Sequence, residues 1–246
     1  MRIIISPAKK MVDEASLAAE GLPVFIERAD RLRAWICSLS YAEQKKLWAC
    51  SDAIAEQNVG RFARMDLRRN LVPALLSYDG IQYTYMAPAV LEDGHLAYLQ
   101  DHLRILSGFY GVLKPFDGVV PYRLEMQAKA ALDGYGNLYD FWGDSIYREV
   151  IGSSRTIVNL ASEEYSKAIE KYLQPEDVYI TCVFGEIEGG KVVQKGVYAK
   201  MARGEMVRYL AGVKASSPEQ IKGFTWSGYA FDPDRSTDTK LVFVRS

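Results

Sequence analysis

The chain predicts an α+β fold, a single compact domain of mixed helices and strands spanning 1–246. Three observations carry that expectation. A run of three isoleucines opens the sequence in "MRIIISPAKK"; helical apolar spacing then dominates the first half; and "VYITCVFGEIEGGKVVQKGVYAK" places a hairpin signal late in the chain. Helices first, then a hairpin, then mixed elements do not make a regular βαβ rhythm. No repeat, low-complexity tract or Pro/Ser-rich linker divides the 246 residues.

Taken in order, Ile3–Ile5 read as a buried strand, because the run is too short for a signal peptide or a membrane span. Phe25, Ala29, Leu32, Ile36 and Leu39 share one helical face, and Ser40 with Glu43 forms a capping box for the next helix. Leu96, Leu99, Leu103 and Leu106 make another helical stripe that feeds "LRILSGFYGVLKPFD". "RTIVNLA" reads as a strand, Ser162 as the N-cap of a helix that ends before Pro175, and Gly189-Gly190 as a hairpin turn. "YAKMARGEMVRYLAG" reads as a helix, Ser217, Pro218 and Gln220 open a short one, and "KLVFVR" closes the chain as a strand.

Composition excludes some functions and leaves others open. A net charge of -1 argues against coating nucleic acid by bulk charge, so any such contact needs a local basic patch. Cys37, Cys50 and Cys182 are odd in number and widely spaced, which suggests neither a disulfide framework nor a zinc site and fits a reducing cytoplasm. His95 and His102 lie about 10 Å apart along a helix, too far to share a metal. No P-loop, dinucleotide fingerprint or Ser-His-Asp signature occurs, and no cofactor or metal is expected.

Four stretches carry candidate chemistry. "SPAK" follows the first strand, where Ser6 offers a hydroxyl and Lys9 a charge for a phosphate or carboxylate; a plain proline turn explains it as well. In "PYRLEM" strand-like alternation puts Arg123 and Glu125 on one side, as a surface ion pair or as two groups lining a cleft. Residues 191–214 set six Lys and Arg against Glu205 alone, with Lys200, Arg203 and Arg208 in one helical sector that is either a solvated face or an anion site. Gly108 and Gly111 either end a helix or let backbone amides approach a phosphate, as in a helix-hairpin-helix module; Lys114 is the only cation within that hairpin. Glu125, Asp144 and Glu164 are the candidate acids or bases.

"ISPAK", "SDAIAEQNVGRF", "LRILSGFYGVLKPFD", "PYRLEM", "LYDFWGD", "NLASEEY", "YAKMARG" and "GFTWSGYAFD" together closely resemble the YaaA (UPF0246) family of bacterial peroxide-stress proteins, in family order and over nearly the whole chain. The resemblance implies a cytoplasmic role in resisting hydrogen peroxide and limiting iron-dependent damage. It also implies an unusual mixed α/β topology with a helix-hairpin-helix-like element, here Ser107–Leu113, and a basic cleft that binds double-stranded DNA. Carried over, that cleft includes Lys9, Arg123, Lys200 and Arg203. Met201 stands where a second lysine is expected, which lowers the local charge. The alternative is an enzyme or binder for a phosphorylated or nucleobase-containing small molecule. No membrane partner is expected.

Overall fold

The computed structural model describes residues 1–152 and 154–245. Its frame is one sheet built from β1 (Arg2–Ile5), β2 (Leu103–Ser107), β3 (Gly111–Leu113), β4 (Thr156–Leu160), β5 (Val178–Glu188), β6 (Lys191–Val193), β7 (Tyr229–Phe231) and β8 (Lys240–Arg245). The spatial order is β7-β8-β5-β4-β1-β2-β3, with β6 pairing to β5. β1 runs parallel to β2 on one side and to β4 on the other, and β4–β5 and β5–β8 are parallel too. β3, β6 and β7 are antiparallel additions. A strand covered on both faces needs an unbroken apolar run, and Ile3, Ile4 and Ile5 are wholly buried.

The chain is thus one mixed α/β domain, as expected, but its central strands are parallel. The parallel crossover was hidden because the connection from β1 to β2 takes up residues 6–102 and holds six helices: α1 (Ile26–Ser38), α2 (Tyr41–Trp48), α3 (Asp52–Arg64), α4 (Ala74–Ser77), α5 (Ile81–Met86) and α6 (Asp93–His102). No βαβ spacing survives an insertion of that length. After β3 follow α7 (Leu138–Trp142) and α8 (Ser145–Ile151); α9 (Glu163–Glu170) joins β4 to β5, and α10 (Gly196–Gly212) lies between β6 and β7. The Ser40–Glu43 capping box is present at α2. Gly189 and Gly190 turn the β5–β6 hairpin with φ of +54° and +77°. No described helix is long and apolar enough to cross a membrane.

The helix-hairpin-helix expectation for Ser107–Leu113 is not met. Helix α6 stops at His102, and the segment beyond it is a β-hairpin, β2–β3, paired from Ile105 with Leu113 to Ser107 with Gly111. The stripe Leu96-Leu99-Leu103-Leu106 therefore changes from helical to extended midway, because Leu103 and the residues after it dock beside β1. Arg104, on β2 rather than on a helix, helps end α6 by donating through Nη1 to the carbonyls of Gln100 (3.2 Å) and Leu103 (2.7 Å). The hairpin glycines meet protein. A Cβ on Gly108 would lie 2.6 Å from the Leu124 carbonyl oxygen, and Gly111, with φ of +75°, sits 3.0 Å from the Trp142 ring by the same measure.

Candidate active site

At the carboxyl ends of β1 and β4 the strand order changes direction, since the chain proceeds from β1 to β2 on one side and places β4, β5 and β8 on the other. Open parallel sheets bind ligands at this kind of switch point, because two consecutive loops leave the sheet in opposite directions and open a crevice. Here the crevice is a cavity of about 390 Å³, within the range of small-ligand sites. The two strand ends are tied together: the Ser162 amide donates to Ser6 Oγ (2.8 Å), and the Ser6 hydroxyl donates to Ser162 Oγ (3.1 Å). The Tyr83 hydroxyl from α5 fixes the same loop through the Ser6 carbonyl (3.0 Å).

The segment 121–126 forms another wall. It joins no ladder, yet it alternates as its sequence suggests: Tyr122, Leu124 and Met126 are buried, while Arg123 and Glu125 line the cavity. The Gly108 contact with Leu124 presses the β2–β3 hairpin against the back of this wall. Behind it, Ser107 Oγ accepts the amides of Phe109 (3.1 Å) and Tyr110 (2.9 Å). With both lone pairs used, the Ser107 hydroxyl donates to Tyr122 (2.6 Å), and the Tyr122 hydroxyl is hydrogen-bonded in turn to that of Tyr78 (2.8 Å). Burial pushes the Tyr122 phenol up to about 12, so this chain of hydroxyls stays neutral.

Five cationic side chains (Lys9, Lys10, Arg123, Lys200 and Arg203) line the cavity against three carboxylates, Asp79, Glu125 and Glu164. Their pairing is uneven. Lys10 meets Asp79 at 2.6 Å, and Glu125 takes both Lys9 (2.9 Å) and Arg123 (3.3 Å). Lys200 and Arg203, one turn apart on α10, have no carboxylate partner among the described residues. Arg203 is the more telling, because its Nε is fully buried and unbonded. Burial holds its guanidinium below the usual range. It faces the Cys182 thiol on β5, which burial pushes up to about 12; the thiol stays neutral and compensates nothing. Glu164, the second residue of α9, accepts the Gln127 amide (3.2 Å) but has no ion pair. Burial, then the charge of Glu125, pushes its carboxyl up, while backbone amides partly oppose the shift.

Of the residues singled out from sequence, the structure brings together Ser6, Lys9, Arg123, Glu125, Glu164, Lys200 and Arg203. The others lie elsewhere. Asp144 pairs with Arg148 (2.6 Å) at the start of α8. Lys114 borders a small recess with Arg104 and Asp117. Arg208 lies 6.0 Å from the Trp226 ring, and Gly108 and Gly111 pack inside the fold. Within the basic stretch 191–214, Lys195 is held by Glu186 (2.6 Å) and Glu188 (3.0 Å), while Lys200 and Arg203 line the cavity. Sequence reasoning passed over Lys10, Asp79, Gln82, Tyr83 and Tyr165, which also line the cavity. Only the adjacency of Lys10 to "SPAK" and of Tyr165 to Glu164 marked any of them.

Comparison with known proteins covers the whole chain. Residues 1–235 match the family model described as "Peroxide stress protein YaaA". A UPF0246 protein of Agathobacter rectalis is 56% identical over 246 residues, covering 100% of this chain and 99% of its own length. Others from Desulfitobacterium hafniense and Ligilactobacillus salivarius are 54% and 48% identical, each covering 100% of this chain and 98% and 100% of their own lengths.

Proposed function

Given that the chain belongs to the peroxide stress protein YaaA family, we propose that it acts by binding a small phosphorylated molecule in the cavity at the β1–β4 switch point. The observation that carries this reading is Arg203. A desolvated guanidinium without an internal anion is costly to fold around, and such a group is retained where a ligand supplies the missing charge. Lys200 adds a solvated charge one turn earlier, Arg123 a second guanidinium, and Ser162 a hydroxyl whose own proton is uncommitted. Glu125, paired with two cations, and Glu164, whose carboxyl burial pushes up, are the two carboxylates placed to exchange protons with the bound molecule should it be transformed.

Double-stranded DNA is the second reading, favoured by Lys9 and Lys10 on the rim, with side chains 66% and 79% exposed. Both are already paired with carboxylates, and a 390 Å³ recess suits a small ligand better than a duplex. We place the family's link to peroxide and iron-dependent damage downstream of the bound molecule, since no group of three or more His, Cys, Asp or Glu side chains arranged for a metal occurs among the described residues.

The test is a thermal-shift panel of inorganic phosphate, sugar phosphates and nucleoside phosphates beside a short DNA duplex. A ligand that prefers the folded state raises Tm by an amount that grows with the logarithm of its excess over Kd. A rise with a phosphorylated small molecule supports the reading. A rise with duplex alone, lost steeply as salt increases, replaces it with the second.

A further inference from the structure

The cavity holds uncompensated charge of both signs. Arg203 and Lys200 on α10 make no ion pair among the described residues, Glu164 on α9 makes none either although Lys9 acts on it from a distance, and the two sets do not pair with each other. Side chains free to meet would do so. These do not because each is fixed by its own helix.

α10 is anchored at Gly204, the residue after Arg203, where an added Cβ would lie 2.1 Å from the Gln82 carbonyl oxygen. That contact leaves α10 no room to move toward or slide along α5. α9 is anchored at its start by the Ser6–Ser162 bonds and the Gln127 amide on Glu164. Glu125, the other carboxylate in reach, is already saturated by Lys9 and Arg123. The free acceptor capacity of the site is therefore at Glu164, and the free cationic capacity is at Arg203 and Lys200.

A simple anion would satisfy only half of this arrangement and would add its own repulsion with Glu164. We propose that the ligand of this site is a phosphorylated molecule that also carries an amino group, with the phosphate on Arg203 and Lys200 and the amine donating to Glu164. This rests on the phosphate-binding reading above and narrows it to one substrate class. Complementary placement of both charges selects against phosphates that lack a donor, because a desolvated carboxylate left without a partner costs more than the contact gains.

The test is titration calorimetry of the full chain with two pairs that differ only in the amine. One pair is phosphoethanolamine and n-propyl phosphate; the other is adenosine 5′-monophosphate and purine riboside 5′-monophosphate. Inorganic phosphate serves as reference. In at least one pair the amine-bearing member is expected to bind about tenfold tighter, the worth of one hydrogen bond to a charged group. In Glu164→Gln that preference falls to about twofold or less, while inorganic phosphate, relieved of the repulsion from Glu164, binds at least as tightly as to wild type and reports that the site is still folded. Equal affinity within both pairs, or a preference that survives Glu164→Gln, overturns the proposal while leaving phosphate binding standing. If none of the phosphates binds wild type, the phosphate-binding reading fails, and this proposal with it.

Discussion

Arg203 and Asp117 show what single groups reveal when burial and charge conflict. Replacing Arg203 by Met keeps the stem packed and removes a cation that nothing in the protein neutralises. Urea unfolding of Arg203→Met is expected to show stability equal to wild type or higher by about 1 kcal/mol. A loss of several kcal/mol would mean instead that the guanidinium is a structural tie. Asp117 is buried, and desolvation lifts its carboxyl from 3.8 to about 6, against the Lys114 amide and the nearby charges of Lys114 and Arg104. An acid whose folded value is raised binds its proton more tightly when folded. Its contribution is therefore full below the unfolded value near 4 and is lost as pH climbs through about 6. The loss is at most about 3 kcal/mol, from roughly two pH units at 1.36 kcal/mol each. Asp117→Asn cannot titrate, so the Tm of the variant minus that of wild type should grow in the variant's favour between pH 4 and pH 7. A difference that stays flat with pH would show that Asp117 keeps an ordinary carboxylate value.

At the scale of elements, two glycines set the walls of the cavity. Gly204→Ala drives a methyl group into the Gln82 carbonyl, where backbone on both sides leaves no side chain to yield. It is expected to destabilise by more than the roughly 1–3 kcal/mol usual for overpacking, and to displace Arg203 as α10 shifts. Gly108→Ala presses on Leu124 in the same way, at 2.6 Å. Chemical denaturation of both variants checks this, and wild-type midpoints in either would contradict the close packing described. These contacts also explain what could be read from sequence. Elements with their own local signal were legible: the Ile3–Ile5 strand, the Ser40 capping box, the Gly189-Gly190 turn and helix α10. The alternation of 122–126 was legible as well, even without a ladder. Residues 103–113 were misread, because an apolar leucine stripe fits a helix and a buried strand alike, and only docking beside β1 decides. The glycines there suggested approach to a phosphate, but what they approach is Leu124 and Trp142.

At the scale of the whole molecule, the order β3-β2-β1-β4-β5 gathers into one crevice residues that lie far apart in the chain, from Ser6 to Arg203. Seven of the twelve residues suspected from sequence meet there, because each follows a strand end or faces it from α10 or the 121–126 wall. That convergence could not be inferred along the chain, since it depends on β1 lying between β2 and β4 across two long insertions. The central claim is that the crevice holds a small anion through Arg203. The most direct test is calorimetric titration of wild type and Arg203→Met with the phosphorylated ligand that gives the largest thermal shift. Single-site binding to wild type, weakened at least about tenfold in a variant whose Tm is not lowered, is the predicted result. Equal affinity in the two proteins would contradict it.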